Sequence, residues 1–222
     1  MKREYDIKCP KCGAPGRVEL YETLNAAEEP ELRDELMANR LNAVECHGCH
    51  FSFRVDKPLL YHDPKRGYMI YWAPDGERDP EIATETFRKL ADELPDAVDI
   101  AAGPPPALHL VFARVELVER IFLLEAGLDE RMIEYVKYLI YANNVRKIDA
   151  ATKRILFNAQ DSTPENLCFV VQDLASKKLE NVLHYGRAAY ETLAETFRHN
   201  PTTPLHELFP GPYVSARQLA LM

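Results

Sequence analysis

The chain has 222 residues, 46% of them hydrophobic and 28% charged, with a net charge of −8 from 27 basic and 35 acidic side chains. That balance is ordinary for a folded globular protein, and no apolar run approaches the roughly 20 residues needed to cross a bilayer. Residues 1–76 carry −2 and the remainder −6, so neither part offers the basic footprint of a phosphate-binding surface.

The start, Met1 to Asp6, has no apolar signal core. Of the five cysteines, four fall in two C-x-x-C pairs, Cys9-Pro10-Lys11-Cys12 and Cys46-His47-Gly48-Cys49. Unoxidised, metal-type cysteines indicate a reducing compartment, and the expectation is a cytoplasmic protein. Each pair presents two thiolates from one tight turn, and together they make the four-sulfur shell of a structural Zn²⁺. Pro10 presets φ after the first ligand and Gly13 supplies φ > 0 after the second. In the second pair His50 stands where that glycine was, and histidine reaches φ > 0 more easily than most residues. Cys9, Cys12, Cys46 and Cys49 are therefore the expected metal ligands. Iron suits the same shell by residue type, and His47 or His50 are substitutes for one sulfur. Cys46 to His50 also spells the haem attachment pattern C-x-x-C-H, but that chemistry belongs to exported proteins and leaves Cys9 and Cys12 idle. A thioredoxin-like dithiol needs a helix after its motif, which Gly13-Ala14-Pro15-Gly16 cannot begin.

Between the two motifs, Val18, Leu20 and Leu24 predict a half-buried strand. Pro30 opens a helix whose face is Leu32, Leu36 and Met37, ending over Asn39 to Asn42. A strand then runs into Cys46, and Phe51, Phe53 and Val55 alternate as another. Leu59 to His62 and Tyr68 to Trp72 predict two strands around a turn at Asp63 to Gly67. Asp79-Pro80 starts a helix striped by Ile82, Thr86, Leu90 and Leu94 up to Pro95. Gly103-Pro104-Pro105-Pro106 is an extended break. Ala107 to Ala113 predicts a strand, and Leu117, Val118, Ile121, Phe122 and Leu124 a helix ending near Gly127. Asp129 caps a further helix with a stripe of Met132, Ile133, Val136, Leu139 and Ile140. Ile155 to Phe157 and Leu167 to Val171 predict strands, and residues 177–199 a helix. Asn200 to Met222, with four prolines, reads as an extended apolar tail with a final short helix, covering either its own core or a partner.

These motifs resemble the CpXC family of bacterial and archaeal proteins, which is named for Cys-Pro-x-Cys and carries a second C-x-x-C downstream. Leu59-Leu60-Tyr61-His62-Asp63 leading to Tyr68-Met69-Ile70-Tyr71 is also similar, as are Glu119-Arg120-Ile121 and Gly127 to Glu134. The resemblance covers about residues 5–200, loosely beyond 145. It departs in the second motif, which lacks the proline, and in the proline-rich connector. It implies the fold and the metal and says nothing on activity.

Other conspicuous residues have structural readings. Tyr61, His62, Asp63 and Lys65 gather at a turn, as such residues commonly do. Tyr135, Tyr138 and Tyr141 read as the rim of a core, and Cys168 as a buried strand thiol. Arg114, Glu116, Glu119 and Arg120 read as the solvated side of a helix. His184, Tyr185 and Arg187 read as the start of the helix at 177–199. There is no P-loop, dinucleotide fingerprint, nucleophile elbow or H-E-x-x-H.

The expected architecture is α+β: a zinc-ribbon-like antiparallel sheet with one short helix (1–76), a helix-rich α+β portion (77–199) and the tail (200–222). The expected function is a non-enzymatic, zinc-stabilised interaction or scaffold module in a bacterial protein assembly. Its partner is another protein or a second copy, with no nucleic acid and no membrane. Two rivals stand beside it. A nucleic-acid-associated zinc-ribbon regulator would gather Arg17, Arg33, Arg40, Arg54 and Arg66 on one face. An enzyme with a site made only in three dimensions would set His62 or His184 beside carboxylates in a pocket.

Overall fold

A computed structural model describes residues 1–97, 106–199 and 205–222, without the side chains of 94–97. The break at Gly103 to Pro105, the side chain of the stripe position Leu94 and the tail residues 200–204 lie outside what is described. The chain is α+β and divides into two compact units, Met1–Val118 and Glu119–Met222. Among the described residues, no helix is long and apolar enough to cross a membrane.

The first unit begins with two small antiparallel hairpins. β1 (Lys2–Lys8) pairs with β2 (Pro15–Tyr21), from Lys2 opposite Tyr21 to Lys8 opposite Pro15. β4 (Ala43–Glu45) pairs with β5 (Ser52–Arg54). Between the hairpins lie β3 (Thr23–Asn25) and α1 (Pro30–Met37). Pro30 sits in the first turn of α1, where a missing N–H does no harm. The helix is left through Asn39 and Asn42, at φ of 61° and 62°, a conformation asparagine tolerates better than most residues. Buried Asn42 accepts from Tyr21 N (2.8 Å) and donates to Tyr21 O (3.0 Å), so one side chain joins the base of the second hairpin to the first.

The rest of this unit is a four-stranded sheet in the order β3, β6 (Leu59–Asp63), β7 (Tyr68–Trp72), β8 (Ala107–Val111). β6 and β7 are antiparallel, while β3 with β6 and β7 with β8 are parallel. A parallel neighbour needs a crossover, and α2 (Pro80–Ala97) lies within the one from β7 to β8. This pairing places the contact division at Val118, and residue 76 falls inside the unit. Leu24, Leu59, Tyr61, Ile70, Trp72, Leu110 and Val111 are buried. Gly76 lies so close to the Phe112 ring that a Cβ there would stand 2.0 Å from it.

The stripe expected for α2 is one residue out of phase in its first two turns, while Leu90 is half-buried as expected. Ile82 is 66% exposed and Thr86 is exposed, while Ala83 and Phe87 are buried. Both rows have helical spacing, and a small Ala83 lets the helix approach closely where a count of large apolar residues favours Ile82. The helix also continues past Pro95 to Ala97.

α3 (Arg114–Glu125) carries the division between the units. The second unit continues with α4 (Glu130–Asn143), capped by Asp129, whose carboxylate accepts from Met132 N at 2.8 Å. β9 (Lys153–Asn158), β10 (Asn166–Asp173) and β11 (Leu179–Gly186) form an antiparallel sheet in the order β11, β10, β9. α5 (Arg187–His199), α6 (Leu205–Leu208) and α7 (Ala216–Leu221) complete the chain.

The continuous helix expected over 177–199 is corrected. Residues 179–186 are the strand β11, entered through a turn in which Lys177 has φ 60°, and only 187–199 are helical. Leu183 opposite Phe169 and Tyr185 opposite Leu167 extend the core face of β10, an apolar strand that needs neighbours on both edges. His184 and Tyr185 are therefore strand residues.

The solvated side expected at Glu119 and Arg120 is also corrected, since these are 7% and 4% exposed. Lys137 Nζ lies 2.5 Å from Glu119 and 2.6 Å from Glu134, all three buried. Arg120 pairs with Glu130. β9 is the edge of its sheet, and helical side chains take the place of a further strand there. Glu119 accepts from Phe157 N, and Tyr141 Oη accepts from Ile155 N (3.0 Å) while donating to Lys153 O (3.1 Å). Burial and Lys137's two carboxylates set the charge balance of the cluster. Burial raises the Glu119 carboxyl above its usual range, and Glu134 adds to this. Burial opposes the Lys137 charge, but the carboxylates outweigh it and hold the ammonium above its ordinary pKa. The tail ends in the same cluster: Glu134 Oε2 accepts from Ala216 N at 2.7 Å, and Arg217 donates to Ala150 O at 2.8 Å. With Phe209, Val214 and Ala216 buried and α7 packed on α4, the described tail covers the core of its own unit.

Replacing Lys137 by methionine leaves two carboxylates buried without their cation, and is expected to destabilise this unit by about 3–5 kcal/mol. Denaturant unfolding of the variant measures this, and an unchanged midpoint contradicts the arrangement.

Candidate metal centre

Each C-x-x-C motif is the turn of one hairpin: Cys9 to Cys12 between β1 and β2, and Cys46 to Cys49 between β4 and β5. The two turns are copies of one backbone geometry. Cys9 N donates to Ala14 O (2.9 Å) and Gly13 N to Cys9 O (2.9 Å). Correspondingly, Cys46 N donates to Phe51 O (3.0 Å) and His50 N to Cys46 O (2.8 Å). The residue after the second cysteine has positive φ in both, 73° at Gly13 and 54° at His50. His50 thus performs the task of the missing glycine. Its ring Nδ1 lies 2.8 Å from Glu45, and it is not among the clustered ligands.

The four sulfurs all lie within 4.8 Å of one another. Cys9 Sγ is 3.7 Å from Cys49 Sγ, and Cys12 Sγ is 3.6 Å from Cys46 Sγ. A tetrahedron with metal–sulfur bonds of about 2.3 Å has edges of about 3.8 Å, so the cluster has the dimensions of a metal-bound shell. Backbone N–H groups point at the sulfurs as they do at thiolates: Lys11 N at Cys9 and Gly48 N at Cys46, both 3.4 Å. Gly48 is where the turns approach, since a Cβ there would lie 3.5 Å from Ala14 and 4.0 Å from Cys12 Sγ.

Two of the donors are shifted in opposite directions. At Cys9 burial opposes ionisation, but the N–H groups of Cys12 and Lys11 outweigh it and bring the thiol down to about 6. At Cys49 the N–H of Phe51 favours the thiolate, while burial and the neighbouring sulfurs overcome it and push the thiol up to about 12. Four sulfurs this close together are held as thiolates when a cation supplies the counter-charge. The residues present therefore fit a divalent metal ion.

A family model for CpXC protein matches residues 7–137, more than half of the chain. The chain belongs to the CpXC family. The matched segment contains both cysteine pairs and extends into α4. Searches of curated proteins and of solved structures find no match.

The remaining candidates stay apart from this centre. Asp63, 3% exposed, accepts from Arg66 N (3.2 Å) and pairs with its guanidinium (2.8 Å), so it builds the β6–β7 turn. His62 is half-buried, and burial lowers its pKa. Arg114 donates to Leu41 O (3.3 Å) and lies 5.3 Å over the Trp72 ring, and Glu116 accepts from the N–H groups of Phe112 and Ala113 at the start of α3. Arg187 donates to Thr163 O at 3.3 Å. Asn42 and the Glu119–Lys137–Glu134 cluster escape a reading of the sequence. The one local signal for the cluster is the Glu134, Lys137 spacing of three.

Replacing Cys46 by serine removes one corner of the shell. Metal content is expected to fall from one ion per chain to near zero, and the β4–β5 hairpin to lose amide protection. Retention of a full equivalent contradicts the assignment.

Proposed function

We propose that the protein is a non-enzymatic interaction or scaffold module, zinc-stabilised at its N-terminus and serving a bacterial multi-protein assembly in the cytoplasm. The observation that carries this reading is the four-sulfur cluster. Hydrolytic zinc keeps a coordination position for water, whereas four thiolates close the shell and leave the metal a structural task. Two β-hairpins with facing cysteine turns have the form of a zinc ribbon. The named polar candidates support the same view, because Asp63, Arg114 and Glu116 are occupied in building turns and caps.

A nucleic-acid-associated regulator fits less well. Each of the five arginines it would use lies against a carboxylate: Arg17 with Asp6, Arg33 with Asp34, Arg40 with Glu35, Arg54 with Asp56 and Arg66 with Asp63. Paired cations release fewer counterions from phosphate and contribute little non-specific affinity.

Titration of the zinc-loaded full chain against labelled duplex DNA at about 0.15 M salt separates the readings. No micromolar binding is expected, and any protein recovered with the chain should bind it again when both are purified. Micromolar DNA binding with a steep salt slope replaces this proposal with the regulator.

A further inference from the structure

The four cysteines of the centre are not equivalent. Cys9 and Cys46 are buried at 5% and 8% exposure, Cys49 is half-buried, and Cys12 is exposed. Cys9 and Cys46 also receive the N–H groups of Lys11 and Gly48. Hydrogen bonds to sulfur withdraw charge from it, and burial bars an oxidant's approach, so the exposed ligand is the one an oxidant reaches first. Cys46 Sγ, on the other hairpin, lies 3.6 Å from Cys12 Sγ.

We propose that Cys12 is the peroxide-sensitive ligand of this centre, and that Cys46 resolves it, locking the two hairpins together through a Cys12–Cys46 disulfide. This rests on the four-thiolate reading of the site. In the first step the Cys12 thiolate attacks hydrogen peroxide. A sulfur–oxygen bond forms, the oxygen–oxygen bond breaks, and hydroxide leaves a sulfenic acid. In the second step the Cys46 thiolate attacks that sulfur, the sulfur–sulfur bond forms, and a second hydroxide leaves. The two sulfurs together give two electrons to the peroxide. Two of the four metal donors are consumed, so the shell opens. A Cys9–Cys49 pair remains at 3.7 Å, available to a second equivalent of oxidant. Thiol reductants return the chain to its starting state.

The test uses the full metal-loaded chain, with metal content measured first. One equivalent of hydrogen peroxide is added, metal release is followed with a chromogenic chelator, and disulfides are mapped by mass spectrometry. The expected product is a Cys12–Cys46 linkage appearing together with metal release and reversed by dithiothreitol. In a parallel brief alkylation with iodoacetamide, Cys12 should be labelled several-fold faster than the other three ligands. Cys168, fully buried in β10, serves as the internal control and should stay reduced. A first linkage within one motif, Cys9–Cys12 or Cys46–Cys49, overturns the proposal, as does faster labelling of Cys49 or no modification of Cys12 in excess peroxide. A chain that contains no metal sinks the structural-metal reading instead. The mapping on the reduced protein then still decides the order of oxidation.

Discussion

Four sulfurs meeting between two hairpins are the constraint on which the N-terminal region depends. Of all the side chains in β1 and β2 only Leu20 is buried, and β4 and β5 bury none. One large apolar side chain contributes about 1.5–3 kcal/mol on burial, too little to fix two hairpins against one another. Metal binding in small zinc-finger peptides contributes on the order of 10–16 kcal/mol. A metal held by the four sulfurs would supply what the missing core does not, and the Asn42 amide against Tyr21 holds the base of the arrangement.

The second unit solves its own problem with buried charge. β9 presents an edge whose N–H groups would otherwise need water or a neighbouring chain. Glu119 and Tyr141 satisfy them from α3 and α4, Lys137 neutralises the carboxylates, and Glu134 extends the cluster to the start of α7. A buried ion cluster of this kind contributes little net stability compared with an apolar replacement, yet it is strongly destabilising to break. Its gain lies in a specified arrangement, since one set of side chains fixes two helices, a strand and the tail.

The sequence made the local pieces legible where chemistry is local. Cys-Pro-x-Cys-Gly announces its own turn, Pro30 and Asp129 announce helix starts, and Tyr68 to Trp72 announces a strand. The failures come from effects that one sequence does not display. Ala83 is buried and Ile82 exposed although Ile82 is larger, because close approach outweighs side-chain size. Residues 177–186 contain good helix formers, but β10 needs a second neighbour, so tertiary pairing overrides propensity. Glu119 and Arg120 read as solvated because charge usually is, and only the fold reveals their buried partners. Family membership agrees with the cysteine spacing and leaves the functional assignment to the chemistry of a four-cysteine cluster that could hold a metal ion.

X-ray absorption at the zinc edge of the chain, purified without added metal, tests the central claim most directly. The account predicts one zinc with four sulfur neighbours at about 2.3 Å and no nitrogen or oxygen in the first shell. A shell that includes imidazole or water, an iron edge in place of zinc, or an absence of bound metal contradicts it.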